Sequence, residues 1–448
     1  MTITPEFAVD VVRRALRHGA TAAEAIVREG VEFSASVRLG DIETLKESAF
    51  KGLGLRVLCD GRQASVSTSD FSPAAVEALA ETATTLARHT SVDDGAGLPA
   101  KEDLATTFPD LELYDAAIGA LSAEEKIAMA LRAEDVARAY DPRIVNFEGG
   151  GVDSGFGRTI LANSLGFVGE YRGSSISLAT VPVAEENGKL QRDYWYDSRR
   201  SLARMESPDA IGRRAAERTL RKLGARRVKT QTCPIVFDPV VAQSLVGDIF
   251  GAVSGDAVFR KASFLVGKLG ERVAAEAVTV IDDGTIRGAV GSRPFDGEGA
   301  PTRRTAVIEN GVLRNYLHNT YTARKLNMKS TGNASRGLTG APSVGANNFY
   351  LQAGSHTPDA IVKSVKNGFY VTELIGFGVN HVTGDYSRGA AGIWIENGEL
   401  TFPVEEVTIA GNLTRMLKDI EMIGDDLQFR GRISAPTIKI SEMTVSGE

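Results

Sequence analysis

The sequence predicts an α+β protein: a mixed α/β N-terminal domain built on an antiparallel meander, and a β-rich C-terminal domain of barrel or sandwich type. Three observations lead there. Along the first half the hydrophobic period runs helix, meander, helix, without the repeated β-α-β alternation of a wound parallel sheet. Beyond residue 273 the pattern is almost entirely strands joined by glycine turns. The chain also has 448 residues, more than a single core usually organises. A basic stretch, ARRVKTQTC, lies between the halves and reads as a solvated linker. Domains are therefore expected over 1–225 and 226–448, with a possible subdivision near 90–120.

The elements follow in order. Thr4-Pro5 opens a helix with Phe7, Ala8, Val11, Val12 and Ala15 on one face, ending at His18-Gly19. His18 there suits the negative end of the helix dipole. Residues 21–68 switch to a period of two: Phe33, Ala35 and Val37, then Leu53, Leu55 and Val57, with a tight turn at Asp60-Gly61. Ser72-Pro73 starts a helix whose expected buried face is Val76, Leu79, Ala83 and Leu86. Residues 90–118 read as loop. Ser122 and Glu125 form a capping box for a helix to about Tyr140. Strands are expected over 143–148, 158–162 and 166–182, the first two separated by glycines, and an aromatic strand over 193–196. Ser207-Pro208 opens a helix ending near Gly224.

The second half begins with a buried strand at 234–237. Asp238 and Pro239 then cap and start a helix with Val241, Leu245, Ile249 and Ala252 as its buried stripe. Gly247, Gly251 and Gly255 notch it, and Gly255-Asp256 ends it. Glu-Asn-Gly-x-Leu recurs at 186, 309 and 396. Asn-Gly favours a type I′ turn, so each reads as a hairpin tip, by convergent turn chemistry. Helices over 358–366 and 413–423 interrupt the strands, and 437–445 closes the chain.

Composition narrows the function classes. A net charge of −6 argues against a phosphate-backbone binder, so nucleic acid is not an expected partner. Cys59 and Cys233 lack the spacing of a disulfide framework or metal site and read as buried free thiols. The N-terminus has no apolar signal-peptide core, and no apolar run is long enough to span a bilayer. A cytoplasmic protein without a membrane partner is expected.

Motifs for chemistry are sparse. The five histidines, His18, His89, His318, His356 and His381, are too dispersed for two to share a helix face, and no H-E-x-x-H occurs. A metal site assembled from distant residues stays open. His381, Asp385 and Ser387 lie within HVTGDYSRGAAG, but a G-x-S-x-G elbow is absent. GGGVDSGFGR and GEGAPTRRT follow neither the P-loop nor the dinucleotide pattern, so no nucleotide cofactor is expected. Glycine-rich polar hairpins suit a groove in which an extended peptide adds as a strand. The candidate groove residues are His381, Asp385, Tyr386, Ser387 and Arg388.

Longer stretches carry a resemblance. GLGLRV, FDGEGAPTRR, STGNASR, VNHVTGDYSRGAAGIWIENGELTFPVEEVTIAGNL and the closing SAPTIKISEMTVSGE resemble the TldD/PmbA family over nearly the whole chain. The block from GDYSRGA to TIAGNL is similar to its PmbA branch, also called TldE. The resemblance implies a heterodimer with a TldD-type zinc metallopeptidase, which supplies an H-E-x-x-x-H motif and a later cysteine ligand. Such a pair trims unfolded peptides, among them leader segments of microcin-type precursors, and takes part in antitoxin turnover. It places Val246, Gly247 and Gly251 where a TldD-type chain has His, Glu and His, and no cysteine follows Cys233. The resemblance thus implies no catalytic residue, metal or cofactor in this chain and zinc in the TldD-type partner; a homodimer when the chain is alone is an option on general grounds, since two-fold dimers are the commonest assemblies. Two other readings stay beside it: an independent hydrolase with a site from distant residues, and a non-proteolytic homodimeric peptide-binding protein.

Overall fold

A computed structural model describes residues 3–447; Met1, Thr2 and Glu448, at the ends of the terminal stretches read above, lie outside it. The first helix, α1 (Pro5–Arg17), buries Ala8, Val11, Val12 and Ala15. His18 caps its end, and its Nε2 lies 2.8 Å from Glu77 Oε1 on a second helix. The meander is β1 (Ala22–Arg38), β2 (Asp41–Cys59) and β3 (Arg62–Thr68). The helix after it, α2 (Pro73–Arg88), is capped by Ser72 Oγ, which accepts the Ala75 N–H at 3.3 Å. Leu86, expected in its buried face, is 47% exposed. Ala80, Thr84 and Ala87 complete the stripe beside Ala83, so Leu86 is left on the flank.

A short helix, α3 (Ala116–Ala120), precedes α4 (Ala123–Tyr140), whose N-terminus has the full Ser122–Glu125 capping box. Then β4 (Ile144–Asn163), β5 (Val168–Glu186), β6 (Lys189–Arg192) and β7 (Trp195–Arg199) extend the meander to seven strands. The order is β3-β2-β1-β4-β5-β6, with β7 also paired to β5. The two strands expected over 143–148 and 158–162 are one strand. Its glycines do not end it, because neighbouring strands need the space: a Cβ on Gly151 would collide with the Ala35 carbonyl oxygen.

The pleat decides which face is covered. Ala23, Ala25 and Val27 of β1 pack with α1 and α2, and Phe33, Ala35 and Val37 pack with α4 and α5 (Pro208–Leu220). Helices therefore cover one face of the sheet. The opposite face meets the second half of the chain at one end and is open at the other.

The second half starts with β8 (Gln231–Phe237). It joins strands Asn367–Ile375, Asp385–Glu396, Glu399–Asn412 and Ile438–Ser446, and pairing of the last two closes a five-stranded barrel. The Asn-Gly pairs at 187, 310 and 397 all have positive φ at both residues, as a type I′ turn requires. The helix expected over 413–423 stops at Lys418, because Ile420 and Ile423 pair with Ile440 and Ile438 as a strand. The helix expected over 358–366 is Pro358–Lys363. Between β8 and the next strands lie α6 (Pro239–Val253) and α7 (Gly255–Phe259). Asp238 caps α6 by accepting the Val240 N–H at 3.0 Å, and its Oδ2 also accepts from Arg218 and the Tyr370 hydroxyl. Both cysteines are buried free thiols. Among the described residues no helix is long and apolar enough to cross a membrane.

Candidate functional site

Two surfaces gather the polar groups that matter. The first is on α6. Its buried stripe includes Val241, Leu245, Val246 and Ile249, which leaves Ser244, Gly247, Asp248 and Gly251 on the other side. His381 Nε2 is 3.2 Å from Asp248 Oδ1, and Arg388 Nη1 donates to Ser244 Oγ at 3.3 Å. The His381 carbonyl accepts the Phe264 N–H at 2.8 Å, which ties down its loop. Burial raises the pKa of Asp248, against the pull of His381 and Arg388. Tyr386 is buried, with its hydroxyl lacking a hydrogen-bond partner, and burial pushes that phenol up as well.

The structure thus joins three of the five groove candidates, His381, Tyr386 and Arg388, to α6. Asp385 and Ser387 project from the other face of their strand, as alternation requires. Asp385 accepts from Thr383 Oγ1 at 2.6 Å and Asn412 Nδ2 at 3.1 Å, bonds that hold its carboxyl below the usual range. His381 faces Asp248 and not Ser387, so the three polar residues of HVTGDYSRGAAG do not form a nucleophile–base–acid relay. Sequence reasoning missed Asp248 and Ser244. Their four-residue spacing on the face that carries the glycine notches was the available signal.

The positions that the resemblance sets against His, Glu and His fare differently. Val246 is fully buried in the main core. A Cβ on Gly247 would touch only Ile433, at 3.6 Å. A Cβ on Gly251 would lie 3.2 Å from His381 Nε2, so the imidazole fills the space beside that glycine. Valine and glycine side chains have no lone pair to give a metal. Among the described residues no three His, Cys, Asp or Glu side chains converge to hold a metal ion. The residues of this helix do not fit zinc.

The second surface is the open face of the seven-stranded sheet. Strand register sets its rows: Lys46, Ser34, Asp153, Ser177 and Ser198; then Ser48, Glu32, Gly155 and Ser175; then Phe50, Gly30, Gly157 and Gly173; then Arg28, Thr159 and Tyr171. Small side chains in the middle keep the floor low, and the resulting groove holds about 570 Å³. One end is closed. There Ile26, Leu161 and Phe167 pack with Phe295 and Leu338 from the second half, and a Cβ on Gly52 or Gly54 would collide with Leu338. Glu24, completely buried, ties this end by pairing with Arg56 Nε at 2.6 Å and with Arg336. GLGLRV is therefore a seat for the 336–338 loop. Sequence reasoning missed this groove, whose signal was glycine and serine at alternate positions of β4 and β5.

FDGEG is a structural turn beside the closed end. Asp296 Oδ1 accepts the N–H groups of Glu298 and Ala300 at 2.9 and 3.0 Å, and its Oδ2 accepts that of Ala334 in STGNASR at 2.9 Å. Glu298 reaches a separate cavity of about 620 Å³ that Arg56, Asp256 and Arg260 also line. Burial first, and Asp296 second, push its carboxyl up to about 7.

Three family models match in series. They are PmbA/TldA metallopeptidase domain 1 over residues 23–87, the central domain over 117–223 and the C-terminal domain over 230–447. Metalloprotease PmbA of Escherichia coli O157:H7 is 38% identical over 426 residues, covering 95% of this chain and 92% of that protein. The chain belongs to the PmbA/TldD family. Its place is with PmbA, the TldE side of the family. The PmbA/TldD architecture agrees too. The crystal structure of a candidate DNA-gyrase modulator from Bacteroides thetaiotaomicron superposes with a TM-score of 0.92 at 29% identity, covering 99% of this chain and 98% of that one. The crystal structure of TldE from Thermococcus kodakarensis superposes with a TM-score of 0.90 at 21% identity, covering 98% and 100%, a likeness of fold.

Proposed function

We propose that this chain is the TldE-type subunit of a two-component metallopeptidase and carries no zinc of its own. A TldD-type partner supplies the metal and the water-activating base, in a heterodimer. The present chain contributes a wall of the cleft and holds an unfolded peptide in extended form. Trimming of leader peptides and turnover of antitoxins are the roles that follow for the pair, in the cytoplasm.

One observation carries this reading. On α6, where the resemblance sets a His-Glu-His motif, His381 fills the space beside Gly251 and is engaged by Asp248. On that helix a histidine–carboxylate pair occupies the outer side at Gly251, and the first motif position, Val246, belongs to the core. The groove of glycine and serine on the sheet supports the peptide-holding part: it runs in the strand direction, and its lining mixes serines and charged groups with Phe50, Phe156 and Tyr171.

Reconstitution tests the reading. The purified chain is mixed with a TldD-type subunit and an unfolded peptide, and cleavage is followed by mass spectrometry. Cleavage is expected only when both chains are present and elute together on gel filtration. Absence of a complex, with cleavage unchanged by adding this chain, would refute the subunit role.

A further inference from the structure

Three arginines without an acidic partner gather at the closed end of the sheet groove, Arg28 and Arg200 in its lining and Arg432 beside it. Arg28 lines the groove from β1. Its Nη2 donates to the Arg336 carbonyl at 2.7 Å, and its Nε is buried with no partner. Arg200, just after β7, lines it from the other side and donates to the carbonyls of Val290 at 2.7 Å, Ala289 at 3.0 Å and Ser174 at 3.3 Å. Arg432 donates to the Ala346 carbonyl at 3.2 Å; the residue is exposed along its stem while its guanidinium is surrounded by protein. Tyr171 lies within the electrostatic reach of Arg200 and Arg432.

None of the three forms an ion pair among the described residues. Arg158, in the same groove, shows the contrast, since it is paired with Glu170 at 2.6 Å. The guanidinium charges crowd one another. Burial weakens proton binding by Arg432, and the charges of Arg293 and Arg28 weaken it further. Arg200 is likewise affected, first by burial and then by Arg432. Asp282, whose charge acts on Arg432, is bonded to the side chains of Asn333 and Asn347 and pairs with none of the three. Neutral carbonyls hold the guanidinium groups in place without cancelling their charge, and the local field favours an anion.

The shape selects the kind of anion. At this end the 336–338 loop rests on Gly52 and Gly54, and Phe295 packs against Tyr171 with ring centroids 5.3 Å apart. A peptide lying along the strands meets a wall there and cannot continue. At the open end Lys46, Glu32 and Asp153 mix both signs. From the Arg28 row to the Ser34 row the floor spans six residues of strand, roughly 20 Å, enough for a short extended segment.

We propose that Arg28, Arg200 and Arg432 form a pocket for the C-terminal α-carboxylate of an extended peptide bound in the sheet groove. The proposal deepens the peptide-holding role above and rests on that reading. Arg is suited to the task, since its planar fork bonds a carboxylate through two N–H groups. The pocket ranks peptides by their free chain end and sets the polarity in which they lie.

The test measures binding rather than cleavage, so it does not depend on a partner's metal. Fluorescence anisotropy on the full-length chain compares three labelled hexapeptides of serine and alanine: one with a free C-terminus, one amidated, and one amidated with a central glutamate. The free acid is expected to bind about tenfold more tightly than either amide, which is about 1.4 kcal/mol. In Arg432→Gln and Arg28→Gln, checked for an unchanged circular dichroism spectrum, that preference is expected to fall to within about twofold. Equal binding of free and amidated peptides by the wild-type chain would overturn the pocket and leave the peptide-holding role standing. Tight binding of the central-glutamate amide would overturn the choice of the chain end. No binding of any peptide would overturn both the pocket and the peptide-holding role.

Discussion

The outer surface of α6 and the open face of the seven-stranded sheet are the two surfaces where function is expected, and they are built in opposite ways. The α6 surface is compact: His381 is engaged by Asp248, Arg388 by Ser244, and the space at Gly251 is filled. The sheet face is open along its middle, with glycine and serine for a floor and unpaired guanidinium groups at its closed end. Charged groups engaged by one another have little charge left to offer, whereas those held by neutral carbonyls keep theirs for a ligand. On α6 the charged side chains are thus engaged by their neighbours.

The largest effect that sharpens this contrast lies under the closed end of the groove. Glu24→Ala leaves Arg56 and Arg336 buried without their shared carboxylate. Denaturant unfolding is expected to show a loss of about 3–5 kcal/mol. A loss below about 1 kcal/mol would mean that this cluster does not hold the two halves together.

Next come two glycine substitutions that set the surfaces directly against each other. In Gly54→Ala the new methyl group collides with the backbone of Leu338, which cannot move without displacing the loop. A loss of about 1–3 kcal/mol is expected. In Gly251→Ala it meets only the His381 ring, on a loop, and alanine is the better helix former. That variant is expected to be neutral or more stable by up to about 1 kcal/mol. Equal losses at both positions would erase the distinction between a packed backbone contact and an adjustable side-chain contact.

The smallest effect is a pH dependence. Burial raises the folded-state pKa of Asp248, so the folded chain holds that proton to higher pH than the unfolded chain does. Below the ordinary carboxylate value both states are protonated and the group makes no difference. As pH rises through the raised value, the favourable contribution of the neutral form is lost. Wild type is therefore expected to lose stability relative to Asp248→Asn as pH rises from about 4 through that window. Unfolding midpoints of the two proteins across pH would show it. A wild type that gains on the variant over the same range would mean that the pairing with His381 outweighs burial.

Much of the fold was legible because local chemistry dictated it. The Asn-Gly tips force positive φ whatever surrounds them, and Ser122 with Glu125 satisfies a helix start by itself. What misled was glycine within strands. In EGGGVDSGFGR it reads as a break, yet β4 runs through it, because the glycines make room for the neighbouring strand and for the groove. The same residues hid the groove, since a surface of glycine and serine carries no motif. The site on α6 was half legible. His381 and Arg388 stood in a recognisable block, whereas their partners Asp248 and Ser244 became visible only when the barrel brought the strand beside the helix.

The central claim is that α6 carries no working metal site in this chain, and zinc content tests it most directly. The purified chain, its TldD-type partner and their complex are each measured for zinc by mass spectrometry, with peptidase activity followed before and after chelation. The expected result is zinc in the partner and in the complex, none in stoichiometric amount in this chain alone, and activity that follows the partner's metal. Stoichiometric zinc in the chain alone, removed by a chelator together with a peptidase activity of its own, would contradict the account.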